Sequence, residues 1–375
     1  MRRQQHFTAA VMIVAFVLPS LGSVSAELRA ADEQQPPKMP ADVLQSVDKG
    51  IDWIDHHIGW AIVDAQAKDL QFAGVVVAGR ARIAREQVRG ATDIEKRLGS
   101  ILDFVVAQQN RDGMICSPRA GNAGMYEHGM ACTLLAEALP LLPEGPRRTK
   151  VRDALKKGVD FTLAAQAVTK KERFTGGWRY APRSIDSDIS VTTGQVVALH
   201  AAAKAGIEVP PAAFAAAAEY VKRSARGGGF TYQPWEGSPG PCRTAMGITA
   251  LELIGPHGSK EAISGGDYLL PIKLAKDENF LYISAYYRSI AFHRLGGDYA
   301  RGYEPLRDVL LSMQGKDGSW SMATGQEKEA GVAYCTAMAI LALCEPYRAE
   351  NPATRPAAAT EPAPATQPAP TRRSL

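Results

Sequence analysis

This sequence has no large surplus of charge of either sign, few cysteines and, beyond its first 26 residues, no apolar run long enough to suggest a membrane span. Lysine and arginine total 43 against 39 acids, a formal charge of +4, which gives no electrostatic reason to expect nucleic acid or an anionic surface as a partner. Five cysteines, Cys116, Cys132, Cys242, Cys335 and Cys344, are an odd number. Three of them sit at or in apolar stretches, where a thiol acts as a small core residue. At most one or two disulfides are expected, with at least one thiol left free. No G-x-S-x-G elbow occurs, and no Lys-Ser or Lys-Thr pair follows Gly227-Gly228-Gly229, which sets aside serine-hydrolase and phosphate-loop chemistry. What the chain does have is 46% apolar and 22% charged residues, the balance of a folded soluble protein with a sizeable core.

The two ends read differently from the middle. Residues 1–26 combine Arg2 and Arg3, an apolar run over 9–18 and a small-residue cleavage site at Val24-Ser25-Ala26, the pattern of a secretory signal peptide. The apolar run is shorter than the roughly 20 residues a spanning helix needs. The expected location is therefore secreted or periplasmic, with no transmembrane segment after cleavage. Removing two arginines and no acid brings the formal charge from +4 to +2. Residues 27–40 read as an exposed leader. Residues 349–375, rich in Pro, Ala and Thr, have too few large apolar side chains to offset the entropy of ordering. The folded part is expected over 41–348.

Within it, one turn recurs. Gln314-Gly315-Lys316-Asp317-Gly318-Ser319-Trp320 precedes a small-residue apolar stretch from Tyr334 to Leu343, and Gln109 to Ile115 repeats the pattern with Ile115 in place of the aromatic. Gly176-Gly177-Trp178 and Gly228-Gly229-Phe230 keep only glycine and aromatic. Apolar stretches align on Ala136, Ala198, Ala250, Ala291 and Ala342, at a spacing that fits one helical hairpin plus loops. Between them, residues 94–109, 150–166, 212–224 and 303–314 are amphipathic, with charge on one face. A leading pair, 47–57 with 72–84, lacks the turn motif. A helix that is apolar all round must be surrounded by helices, so the small-residue helices form the inner wall of a double-layered, all-α barrel and the amphipathic ones its outside. Gly318 supplies a backbone conformation closed to other residues, Trp320 packs between successive hairpins, and the glutamine caps an outer helix end.

On these turns the chain resembles the prenyltransferase and squalene-cyclase repeat superfamily over roughly residues 41–348. The resemblance implies an (α/α)6 toroid of about six helical hairpins. It leaves activity open, because that scaffold serves terpene cyclases, zinc prenyltransferases, thioester proteins, sugar-polymer lyases and proteins without chemistry. Asp186 and Asp188, in Arg183-Ser184-Ile185-Asp186-Ser187-Asp188-Ile189-Ser190, resemble a shortened D-x-D-D acid motif. By that likeness Asp188 is the catalytic acid and Asp186 its helper, although Ile189 stands where the last aspartate belongs. Read from chemistry alone, Asp and Ser just before an apolar helix are N-caps. No cysteine has an aspartate two residues before it, so the prenyltransferase zinc site is missing. Glu127-His128 near Cys132 offers other ligands, but a lone histidine at a helix start reads as a cap or surface residue. No metal and no cofactor are expected. The Cys-Gly-Glu-Gln thioester run is absent.

Trp178, Tyr180, Arg243, Tyr286, Tyr287, Arg288 and Tyr334 are the expected ligand-contact residues, with Tyr126, Tyr232, Trp235 and Tyr282 as further aromatics near one mouth of the barrel. Each has a packing or turn role as its alternative. The expectation is a binding module whose central cavity takes an elongated apolar or isoprenoid ligand, or a partner peptide. Its alternative is a terpene-cyclase-like isomerase that protonates a prenyl chain with Asp188; a polysaccharide lyase or hydrolase would need a base and cation that the sequence does not bring together.

Overall fold

The computed structural model describes residues 36–68, 72–89, 94–118, 120–121, 124–322 and 325–348. The signal peptide, most of the leader and the tail lie outside them. In chain order the helices are α1 (Ala41–Lys68), α2 (Phe72–Arg89), α3 (Ile94–Ala107), α4 (Gly124–Ala138), α5 (Pro146–Gln166), α6 (Ile189–Lys204), α7 (Pro211–Arg223), α8 (Pro241–Ile254), α9 (Lys260–Leu269), α10 (Leu281–Leu295), α11 (Tyr303–Met313) and α12 (Glu327–Cys344). A two-residue hairpin, β1 (Ala225–Arg226) with β2 (Gly229–Phe230), interrupts the helices between α7 and α8.

The even-numbered helices form a closed ring. α2 packs on α4, α4 on α6, α6 on α8, α8 on α10, α10 on α12, and α12 returns to α2. The odd-numbered helices lie outside, each against the inner helices beside it, so the chain folds as an α/α toroid. Side chains on the inner wall join neighbouring helices through backbone carbonyls. Gln195 Nε2 donates to Met125 O at 2.7 Å, Thr193 Oγ1 to Met246 O at 3.2 Å, Thr249 Oγ1 to Tyr287 O at 3.4 Å and Ser289 Oγ to Ala342 O at 2.8 Å. Small residues permit these approaches: a Cβ on Gly247 would lie 2.4 Å from the Phe230 ring, and one on Gly129 2.8 Å from Gln195.

The recurring turn works as a stitch. Gln314 Nε2 donates to its own Gly318 O at 2.9 Å and to Ser46 O at 2.8 Å; Gln109 does the same to Gly113 O and Ala154 O, and Gln166 to Gly176 O and Ala213 O. Each glutamine thus ties its turn to the next outer helix, and the Gln314 pair joins α11 back to α1. The glycines have φ of +104°, +91° and +93°, and a Cβ on them would lie 2.5, 2.1 and 2.5 Å from the carbonyl oxygens of Lys157, Ala216 and Lys49. Only glycine fits there. The residue after the turn is also held alike: the backbone N–H of Trp178, Phe230 and Trp320 donates to Thr192, Thr244 and Thr336 Oγ1, and that of Ile115 to His128 Nδ1.

These bonds correct two expectations. They put Leu134, six residues after His128, level with Ala198, six after Thr192, so the alignment on Ala136 runs two residues too far. They also show that the glutamine ties carbonyls across to a neighbouring helix as well as within its own turn. The outer helix α9 had no counterpart in the sequence pattern, because Gly265 and Gly266 lower its helix propensity. Both are needed: a Cβ would lie 2.9 Å from Ile248 and 2.7 Å from Tyr299 respectively. All five cysteines are free thiols.

Candidate functional site

The first turns of the inner helices come together at one end of the ring, and buried carboxylates cap them. Asp188 is 0% exposed. Its Oδ1 accepts from the N–H groups of Ser190 and Val191, both at 2.9 Å, and from Ser190 Oγ at 2.6 Å, while Oδ2 accepts from Arg179 NH1 at 3.1 Å. Burial raises the Asp188 carboxyl pKa, and these donors pull against it without reversing it. Both oxygens are taken by donors. Asp186 is part-exposed, pairs with Arg179 at 3.3 Å and accepts from Gln233. The Arg179 guanidinium lies 4.3 Å from the Tyr180 ring centre and 5.2 Å from that of Tyr232, and it donates to Tyr232 Oη. Tyr180 and Tyr232 share a hydrogen bond through their hydroxyls. Tyr126 Oη bonds Ser190 Oγ at 2.7 Å, joining α4 to α6.

Glu327, which carried no signal in the sequence because it lies seven residues before the apolar stretch at Tyr334, is 4% exposed. It caps another helix, accepting from the N–H groups of Tyr282 at 2.8 Å and Ile283 at 2.9 Å at the start of α10. Burial pushes its pKa up to about 7.

Below this mouth the lumen wall is uneven. On α6, Ser190, Gly194, Val197 and Ala201 are all half-buried, and their spacing of three to four residues puts them on one helix face. That face is opposite Thr192, which points to the outer layer through Trp178. Tyr126 and Met130 continue the half-buried stripe on α4, while Met246 on the neighbouring α8, and Tyr287, Tyr334 and Met338 farther round the ring, are buried. The arc formed by α6 is thus the shallow, small-residue side. Lower down, Arg80 donates to Glu137 at 2.9 and 3.2 Å and to Tyr286 Oη at 2.8 Å, and Arg348 donates to Glu137 at 3.1 Å and Gln87 at 2.8 Å. Burial alone would raise the Glu137 carboxyl, but the two guanidinium groups hold it below its usual range. This network links α2, α4, α10 and the stretch that follows α12 as a floor.

The expected contact residues therefore divide. Tyr180 stands half-buried at the mouth beside α4 and α6; Tyr287 and Tyr334, on α10 and α12, are buried near Cys242. Arg243 is half-exposed and folds back on Ser238 O. Trp178 is 1% exposed and gives its indole N–H to Thr162 O, which holds it in the shell between layers. Tyr286 belongs to the floor, and Arg288 is buried against Glu278 and Ile272 O. His128 is buried rather than a cap or surface residue: it accepts from Ile115 N–H and lies 3.0 Å from Thr162 Oγ1, and burial brings its pKa down to about 4. Among the described residues no group of three His, Cys, Asp or Glu side chains is placed to hold a metal. Two depressions, of about 640 Å³ between α3 and α5 and about 200 Å³ beside the hairpin and α9, are lined by the outer helices and the hairpin.

No family model and no curated protein matches the sequence. Solved structures do. Protein geranylgeranyltransferase-I of Candida albicans, complexed with GGPP, superposes with a TM-score of 0.52 at 12% identity, over 78% of this chain and 90% of that one. A type II terpene cyclase, MstE from Scytonema, matches with a TM-score of 0.49 at 11% identity, over 81% and 98%. A polysaccharide lyase, BACCELL_00875, gives 0.37 at 10% identity over 87% and 94%. At these identities the likeness is one of fold.

Proposed function

We propose that this protein is an exported binding module that takes an elongated apolar molecule, of isoprenoid character, into the lumen from the mouth at the inner-helix N-termini. Gly194 carries the reading. A glycine inside a helix costs about 1 kcal/mol relative to alanine, and Gly79, Gly129 and Gly247 on the inner wall offset that cost by admitting a neighbour that a Cβ would crowd. At Gly194 a Cβ would meet nothing within 4 Å, so the missing side chain leaves room on the lumen face. Val197 and Ala201 below it are apolar, and Tyr126 and Tyr180 above it offer rings with a polar tip, which suits an apolar chain with one polar end.

Binding is favoured over proton transfer. An acid that protonates an alkene must present its proton to the lumen, and both oxygens of Asp188 accept from donors of the protein itself. The neighbour complexed with GGPP agrees with an isoprenoid ligand, and the open, apolar face of α6 supports one independently of it.

The test is titration with geranylgeraniol, followed by calorimetry. The expected result is saturable binding that Gly194→Leu weakens at least tenfold, while the same substitution leaves the midpoint of thermal unfolding equal or higher, since leucine is the better helix former. No binding by the unaltered protein, or equal binding by Gly194→Leu, would refute the reading.

A further inference from the structure

We propose that residues 326–330 are a gate over the lumen mouth, latched to the first turn of α10 by Glu327 and hinged at Gly325 and Gly331. What the gate admits rests on the ligand reading above; that it opens does not.

The geometry is that of a separable turn. Gly325 has φ +85° and Gly331 φ +86°, a break inside α12, so one short helical turn is bracketed by two residues in a region that favours glycine. Three bonds fasten it: Gln326 N–H to Asn279 O at 3.1 Å and the two N–H groups of Tyr282 and Ile283 to Glu327. One further contact, Cys335 Sγ to Glu327 O at 3.6 Å, ties it to α12 itself. The turn is otherwise polar and accessible, with Gln326, Lys328 and Glu329 exposed. Ile283, half-buried, stands directly under the latch.

The latch is also electrostatically weak. Among the described residues no cation lies within ion-pair distance of Glu327; the nearby Arg288 is engaged by Glu278 at 2.8 Å. The groups that act on Glu327, or on which it acts, are Glu278 from the preceding loop, Tyr282 on α10, Cys242 on α8, and Tyr334 and Cys335 on α12. None of them is a cation. A buried carboxylate without a counter-ion holds its proton more tightly than one in water, and the backbone N–H groups at the start of α10 reduce that effect without abolishing it.

The sign follows from linkage. With the gate closed Glu327 titrates at about 7; with the gate open and the side chain in water it titrates at about 4.3. The closed form therefore binds the proton better. Its advantage is complete below the open-state value, declines as pH rises between the two, and is gone above the closed-state value. The gate opens toward alkaline pH.

Amide hydrogen exchange of Tyr282 and Ile283, corrected for intrinsic rates and measured without ligand at pH 5 and pH 8, tests this. Protection should fall on the order of 100-fold between the two in the unaltered protein, in line with the roughly two pH units of the linkage window traversed. In Glu327→Gln, which keeps one acceptor oxygen and cannot ionise, protection should be the same at both. Flat protection in the unaltered protein overturns the proposal even if the variant does not fold, and so does an unchanged pH dependence in a folded variant. Stopped-flow uptake of geranylgeraniol should then be faster at pH 8 than at pH 5. Equal uptake rates with a pH-dependent latch would overturn the gating role. Complete absence of geranylgeraniol binding would instead strike the ligand reading and leave the exchange result standing.

Discussion

Asp188 and His128 show how burial and hydrogen bonding divide the work of a polar side chain in this wall. Asp188 accepts from four donors, so its first duty is to terminate α6. Asp188→Ala should cost about 2 kcal/mol in urea unfolding, since a cap is worth about 0.5–2 kcal/mol and stranded buried donors add to it. Asp188→Asn, which keeps one acceptor oxygen, should recover about half. His128 occupies the place that Thr192, Thr244 and Thr336 hold in other hairpins. Being neutral when buried, with a pKa near 4 against the ordinary 6.5, it contributes stability that is present above pH 6.5 and lost as pH falls toward 4. The loss should approach 3 kcal/mol, an order-of-magnitude figure, and His128→Thr should remove that part of the acid dependence. The N-cap at Asp188 was legible in the sequence, because Asp and Ser stand directly before an apolar stretch. Glu327 was not, since it caps a helix 45 residues earlier in the chain.

Among the helices, the glutamine stitch is the part that spacing revealed only in fragments. Gln314 and Gln109 stand four residues before their glycine, whereas Gln166 stands ten before Gly176 and still makes the same two bonds. An inserted loop changes a spacing without moving the ends it joins. Trp178 and Trp320 likewise both give the indole N–H to the carbonyl four residues before the glutamine, Thr162 and Leu310. Gln314→Leu should cost about 2 kcal/mol, because it removes the bonds to Gly318 and Ser46 and strands two carbonyls in a part-buried seam. Faster amide exchange concentrated in α1, with α5 and α7 unaffected, is the accompanying signature. The helix α9 escaped the pattern for the opposite reason: its paired glycines serve packing against Ile248 and Tyr299, and packing partners do not appear in a local window.

Ring closure gives the molecule its lumen and its contrary responses to acid. Protonation of His128 works against the fold as pH falls, while protonation of Glu327 favours it and tightens the latch on α10, so between pH 7 and pH 5 the two should largely offset in global unfolding while local exchange at Tyr282 and Ile283 slows. The all-α character, the alternation of small-residue and amphipathic helices and the glycine-aromatic corners are written in composition and periodicity, because each depends on neighbours within a few residues. Which corner meets which helix, that α12 returns to α2, that Tyr286 reaches Arg80 206 residues away in the chain, and that Gly194 faces open space where Gly79, Gly129 and Gly247 face a neighbour, are properties of the closed ring. Contacts across an axis depend on distances that no single stretch of chain contains, and they exist only once all the hairpins have packed.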